Sequence, residues 1–197
     1  PLPDEISGLR PALWTSPASR ETGRAADTLA VSHSAREVRA VIEIDSPGMP
    51  LYRGNPGRPL VILVHDYYGR LPGLERLANS LVSAGYFVAI PDLYNGVATT
   101  DSAEAEQLME SMELGLALAE LDDIVADARN QGSEKIGVVG FSLGGWLALL
   151  HAQGGSVDAA VAYYASLGPK DHGVVPAPLL LHYAEFDEWG DGDDPPS

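Results

Sequence analysis

One stretch restricts the fold more than any other: KIGVVGFSLGGWLALLHA, residues 135–152, in which Gly140-Phe141-Ser142-Leu143-Gly144 separates two apolar runs. A β-rich run entering Gly-x-Ser-x-Gly and a helix-forming run leaving it make a strand-to-helix elbow, a sharp turn that lifts the serine hydroxyl above the end of a sheet. Glycine at both flanking positions, and again at Gly145, lets the two backbones approach where a Cβ would intrude. A tight turn capped by an ordinary serine does not explain so many glycines. Ser142 is therefore the candidate nucleophile.

The segments around the elbow complete an α/β pattern. LVILVH (60–65) is a continuous apolar run, as in a strand buried on both faces of a parallel sheet covered by helices. EVRAVIEID (37–45) alternates like a half-exposed strand, and SPGMPLYRGNPGRP (46–59) is a Pro/Gly turn region. LERLANSLVSAGY (74–86) has helical spacing and YFVAI (86–90) is a short strand. SAEAEQLMESMELGLALAELDDIVADARNQ (102–131) is expected to be one long amphipathic helix with Asp101 or Ser102 as its N-cap. VDAAVAYY (157–164) and APLLLHY (177–183) follow the elbow helix as strands. Strands alternating with helices predict an open, mostly parallel sheet flanked by helices. The expected organisation is an extended or disordered arm over 1–35, one domain over 36–190 and an acidic tail over 191–197.

Charge and composition remove whole classes of partner. A net charge of −16 disfavours nucleic acid and anionic membrane surfaces, both of which reward clustered Lys and Arg. No Lys or Arg occurs between Arg76 and Arg129, while Asp101, Glu104, Glu106, Glu110, Glu113, Glu120, Asp122, Asp123 and Asp127 crowd that segment, as on a solvated helix face, with a partner surface the alternative. With no cysteine, and no convincing metal-binding spacing among the five histidines, neither metal nor cofactor is expected. No apolar stretch approaches the ~18 residues of a membrane span, and the N-terminus lacks a secretory pattern, so a soluble, cytoplasmic protein is expected.

A serine hydroxyl attacks a carbonyl only with a base to take its proton and donors to hold the oxyanion. The elbow offers one donor, the backbone N–H of Leu143, and the loop after LVILVH, His65 to Gly69, offers a second at Tyr67. The acid of such a triad follows a later strand, where Asp187 stands, with Glu185 a weaker rival and a plain surface turn the alternative. The base is harder to place, because no histidine follows His182. His65 abuts the oxyanion loop, His33 lies in the lead-in, His151 is on the elbow helix, His172 is in a loop and His182 is inside a strand.

LVILVHDYYGR, SAGYFVAIPDLYNG, KIGVVGFSLGGWLALLHA, VDAAVAYYASL and PLLLHYAEFDEW, in this order and spacing, resemble the dienelactone hydrolase (carboxymethylenebutenolidase) family of α/β-hydrolases over about residues 37–190. The resemblance implies the α/β-hydrolase fold, Ser142 as nucleophile, Asp187 as triad acid, and Leu143 and Tyr67 as oxyanion donors. It puts Asp66 where the family has a glutamate near the nucleophile, and Tyr68, Tyr94 and Trp146 near the acyl pocket. The family's namesake enzymes have a cysteine where this chain has Ser142, which looks like an esterase-type branch. They have a substrate-binding arginine where Gly96 stands, which argues against a charged dienelactone. The family also continues past the acid with a strand, a histidine loop and a closing helix. The resemblance therefore implies that a C-terminal strand, helix and triad histidine are missing from these residues.

The expected function is a serine hydrolase that cleaves a small ester or lactone through an acyl-enzyme on Ser142. A catalytically inactive, hydrolase-like binding module is the alternative, and recruitment of His65 or His182 as a substitute base is a third. An uncovered apolar sheet edge would favour a homo-dimer.

Overall fold

A computed structural model describes residues 41–44 and 47–184. The expected arm and acidic tail, together with His33, Glu185 and Asp187, lie outside the described residues. The elements are β1 (Val41–Glu43), β2 (Leu51–Arg53), β3 (Leu60–Val64), α1 (Pro72–Ser83), β4 (Phe87–Ile90), β5 (Val97–Thr99), α2 (Ser102–Ser111), α3 (Leu114–Asn130), β6 (Ile136–Phe141), α4 (Leu143–Ala152), β7 (Ala159–Tyr163) and β8 (Leu179–His182).

Six strands form one sheet in the order β2-β4-β3-β6-β7-β8, antiparallel at β2-β4 and parallel elsewhere. The run LVILV is buried along its whole length as β3, between β4 and β6. Its neighbours are joined to it in opposite directions across the sheet, so the carboxyl ends of β3 and β6 flank the point where strand order reverses. Open α/β sheets form their crevice there. The described chain thus has the mostly parallel, helix-flanked sheet of the α/β-hydrolase fold, and none of its helices is long and apolar enough to cross a membrane.

The core is aliphatic and continuous across the sheet: Leu60, Ile62, Leu63, Val88, Ile90, Ile136, Val138 and Leu147 are all buried. Strand β6 is registered at its start by Asp158, whose carboxylate accepts from the backbone N–H of Ile136 at 2.9 Å and pairs with Arg129 and Lys135 at 3.0 and 2.8 Å. The Lys135 hydrogen bond first, then that of Ile136, hold the Asp158 pKa down at about 2.

Three expectations are corrected. The single helix over 102–131 is two, because Met112 and Glu113 take extended dihedrals (ψ 129° and 111°) between α2 and α3. No proline causes the break; the Ser111 hydroxyl donates back to the Leu108 carbonyl, an alternative to continuing the ladder, and the two helices pack on different partners, α2 on β5 and α3 on β3 and α4. Asp101, one of the two N-cap candidates, caps α2 by accepting from Ala103 and Glu104 N–H. Strand β1 is not part of the main sheet but pairs with β5, a partner that nothing in EVRAVIEID signals. The Pro/Gly turn region contains β2, whose three residues are held by pairing with β4 and by the stacking of Tyr52 on Phe87 at 5.5 Å. At the other side of the sheet β8 is the last described strand, with Leu179 and Leu180 exposed.

Candidate active site

Ser142 ends β6 and begins α4 with φ 50° and ψ −116°, a conformation that side-chain-bearing residues avoid and that costs of order 1–3 kcal/mol. Its N–H donates to the Tyr163 carbonyl at 2.8 Å and its own carbonyl accepts from Trp146 at 3.0 Å, so the turn is held at both ends. The glycines around it are steric necessities. A Cβ on Gly140 would lie 2.0 Å from the Gly144 carbonyl oxygen, one on Gly144 2.3 Å from that of His65, and one on Gly145 2.7 Å from the Ala165 Cβ.

Because Trp146 is bonded to Ser142, the N–H groups of Leu143 to Gly145 precede the helix ladder. They stand at the electropositive end of α4, beside the serine. The Ser142 hydroxyl makes no capping hydrogen bond to them, and Trp146 sits half-buried in the same first turn.

The β3 loop meets the elbow directly. Val64 is registered against Gly140, and the Val64 and His65 carbonyls are what a Gly144 side chain would strike. Asp66 folds the loop as an Asx-type turn: its Oδ1 accepts from Tyr68 N–H at 2.9 Å, and its carbonyl accepts from Gly69 at 3.2 Å. Burial pushes the Asp66 pKa up, opposed by the Tyr68 N–H. Tyr67 is buried; its ring lies 4.2 Å from that of Tyr68, and its hydroxyl donates to the Tyr68 hydroxyl at 3.0 Å. The Tyr68 carbonyl in turn accepts from Thr99 N–H at 2.9 Å, tying the loop to β5.

His65 joins this loop to the one after β4. Leu93 N–H can only donate, so His65 Nε2 accepts at 3.3 Å, and Nδ1 carries the proton given to the Asp66 carbonyl at 2.7 Å. Desolvation holds its pKa at about 4 and the ring stays neutral. Tyr94 packs 5.0 Å from that ring and is buried, with no hydrogen-bond partner for its hydroxyl. Burial first, then the Asp66 charge, push its pKa up, so at neutral pH it is a donor.

Asp92 fastens the rest of this loop by accepting from Gly48 and Gly96 N–H, each at 2.7 Å. Gly96 has φ +90° and its Cβ would lie 2.5 Å from the Pro47 Cβ. Gly96, which stands where the resemblance puts an arginine in the namesake enzymes, is thus fixed by backbone and packing.

The other histidines are turned to other tasks. His151, in the last turn of α4, directs Nε2 at both Asp122 (2.9 Å) and Ser156 (3.3 Å), and its Nδ1 is buried without a hydrogen-bond partner. His172 is bonded to the Leu167 carbonyl at 2.7 Å. His182 is exposed at the end of β8, its ring stacked 4.4 Å from Tyr163, which stacks 5.0 Å from Phe141. This aromatic ladder follows the register Phe141, Tyr163, His182 across three strand ends beside Ser142; the period of two in each strand was the signal for it, but only the register aligns them. No described histidine is hydrogen-bonded to Ser142.

Comparison with known proteins agrees with this fold. Residues 50–196 match the model of the dienelactone hydrolase family. Carboxymethylenebutenolidase of Pseudomonas putida is 29% identical over 153 residues, covering 69% of this chain and 65% of its own length. Protein usf of Aquifex pyrophilus is 25% identical over 171 residues, covering 78% of this chain and 74% of its own. Among solved structures, a putative dienelactone hydrolase from Klebsiella pneumoniae superposes with TM-score 0.54 at 24% identity, covering 71% of this chain and 65% of that one. A dienelactone hydrolase-like promiscuous phosphotriesterase from metagenomic libraries superposes with TM-score 0.58 at 17% identity, covering 73% and 65%. The chain spans just under two thirds of the length of the Pseudomonas relative.

Proposed function

The chain belongs to the dienelactone hydrolase family, and from that premise we propose that it acts as a serine hydrolase on a small ester or lactone through an acyl-enzyme on Ser142. The observation that supports this most is the dihedral pair of Ser142, φ 50° and ψ −116°, kept despite its cost by glycines that could not be anything else. Strain of that kind is retained where it presents a reacting group.

In this reading Ser142 Oγ adds to the ester carbonyl, and the alcohol leaves as the tetrahedral intermediate collapses to the acyl-enzyme. Water then adds to the acyl carbon, the acid departs and Ser142 is restored. The backbone N–H groups of Leu143 and Tyr67 hold the oxyanion, the first at a helix N-terminus whose dipole favours negative charge. Asp187 orients the base. That base is a histidine other than His65, whose nitrogens are both engaged, and other than His151 and His172, which are bonded elsewhere. Tyr68, Tyr94 and Trp146 wall the acyl pocket, with Asp66 at its edge.

One observation favours the rival reading of an inactive binding module: no described histidine is bonded to Ser142. The two diverge in turnover. The full-length protein is expected to hydrolyse p-nitrophenyl acetate or butanoate, and Ser142→Ala to lower kcat by about 10⁴-fold or more with the fold intact by circular dichroism. Full-length protein without turnover, but with ligand-dependent melting, would favour the module instead.

A further inference from the structure

The carboxyl ends of β6, β7 and β8 repeat one arrangement. Phe141, Tyr163 and His182 are each the last residue of their strand, and they lie in register. Ser142, the residue after Phe141, turns into the left-handed region (φ 50°) and gives its N–H to the Tyr163 carbonyl at 2.8 Å. Tyr164, the residue after Tyr163, does the same one strand further on: its φ is 55° and its N–H donates to the His182 carbonyl at 2.8 Å. Neither residue is glycine, and both keep a conformation that side-chain-bearing residues avoid. Of the other described non-glycine residues, only Asn95 has a positive φ.

The side chains tie the same three strand ends together. The Tyr163 ring lies between the other two, 5.0 Å from Phe141 at an interplanar angle of 14° and 4.4 Å from His182 at 4°. Stacked rings attract beyond the area they bury. Tyr163 is thus held by its ring on both sides while its carbonyl holds the Ser142 N–H. From the helix side, a Cβ on Gly145 would lie 3.2 Å from that same carbonyl oxygen, so α4 and the stack close on one atom. A strained residue persists only while its surroundings impose the strain, and this carbonyl is one of the two backbone partners that hold Ser142.

Resting on the hydrolase reading above, we propose that Tyr163 and His182 are positioning residues for the nucleophile. The stack of Phe141, Tyr163 and His182 fixes the carbonyl that keeps Ser142 in its strained conformation, and His182 acts through its ring face, not as a base. This gives a task to the described histidine that remains once His65, His151 and His172 are bonded elsewhere.

Turnover of p-nitrophenyl butanoate and the rate at which a fluorophosphonate labels Ser142, both measured on the full-length protein, test it. His182 is exposed, so its substitution leaves the core alone. His182→Ala is expected to lower kcat and the labelling rate about 10-fold with KM within about 2-fold, because the nucleophile is misplaced while the pocket is kept. His182→Phe retains a flat ring but has no proton to move, and is expected to bring both rates back to within about 2-fold of the wild type. Tyr163→Leu, apolar but unable to stack, is expected to lose about 30-fold, and Tyr163→Phe less than about 3-fold.

His182→Ala with wild-type kcat and labelling overturns the proposal. So does His182→Phe as impaired as His182→Ala, which would make the imidazole itself the active group, and so does a loss confined to KM. Should Tyr163→Leu not fold, the two His182 variants decide alone. A wild type that labels and turns over while every variant matches it leaves the hydrolase reading standing and removes the role of the stack; a wild type that does neither removes both.

Discussion

Gly144→Ala is expected to lower the melting temperature by about 10 °C or to leave no folded protein. The added Cβ would lie 2.3 Å from the His65 carbonyl oxygen, 2.5 Å from that of Val64 and 2.8 Å from the Val64 carbonyl carbon. All are backbone atoms of the central strand and its loop, so no side chain can rotate out of the way. Relief requires moving α4 off β3, and overpacking of this kind costs about 3 kcal/mol or more. Gly115→Ala supplies the contrast: its Cβ would meet nothing within 4 Å, and it lies in the first turn of α3. That substitution is expected to stabilise by about 0.5–1 kcal/mol, since alanine loses less backbone entropy in a helix. Thermal melts of the two variants side by side distinguish a steric elbow from a general intolerance of alanine. Equal, small shifts would contradict the packing described for Gly144.

The second large effect is acid sensitivity centred on His65. Its pKa falls from the ordinary 6.5 to about 4 on folding, chiefly through burial. Between those values the unfolded chain binds a proton that the folded chain refuses. Stability is therefore fully present above pH 6.5 and is lost as pH falls toward 4, by up to about 3 kcal/mol. Protonation would set an Nε2–H against the Leu93 N–H, donor against donor, and separate the loop bearing Tyr67 from the loop bearing Tyr94. Two-dimensional NMR of the imidazole ring reads this in the native protein: no titration above pH 5 is expected for His65. A ring titrating near its ordinary pKa would contradict the buried, doubly bonded histidine.

The comparison of sequence with structure divides along a physical line. Segments whose identity is decided locally were legible. LVILV read as a strand buried on both faces, and Gly140 to Gly145 as a strand-to-helix elbow, because backbone sterics act within a few residues. What depends on distant partners was not. Strand β1 reads as part of a sheet, yet its pairing with β5 and not with β2 or β4 depends on a loop that Asp92 and Gly96 build. The interruption at Met112 and Glu113 is invisible to helical periodicity, since apolar spacing continues through it and the cause is which surface each helix packs on.

The same division applies to the site. The elbow and the β3 loop were readable as neighbours, and the structure sets their carbonyls and glycines in contact. His65 was readable only as lying near the loop; that both its nitrogens are engaged requires Leu93, 28 residues away. Gly96 looked like the loss of a substrate-binding side chain. In the fold it is a position that Pro47 leaves no room to fill.

The central claim is that the strained residue at the end of β6 is a nucleophile. The most direct test is to treat the full-length protein with a fluorophosphonate at neutral pH and locate the adduct by peptide mass spectrometry. The account predicts a single adduct on Ser142, absent from Ser142→Ala and from acid- or heat-unfolded protein. An intact, folded protein that stays unlabelled, or one labelled equally in Ser142→Ala, would contradict it.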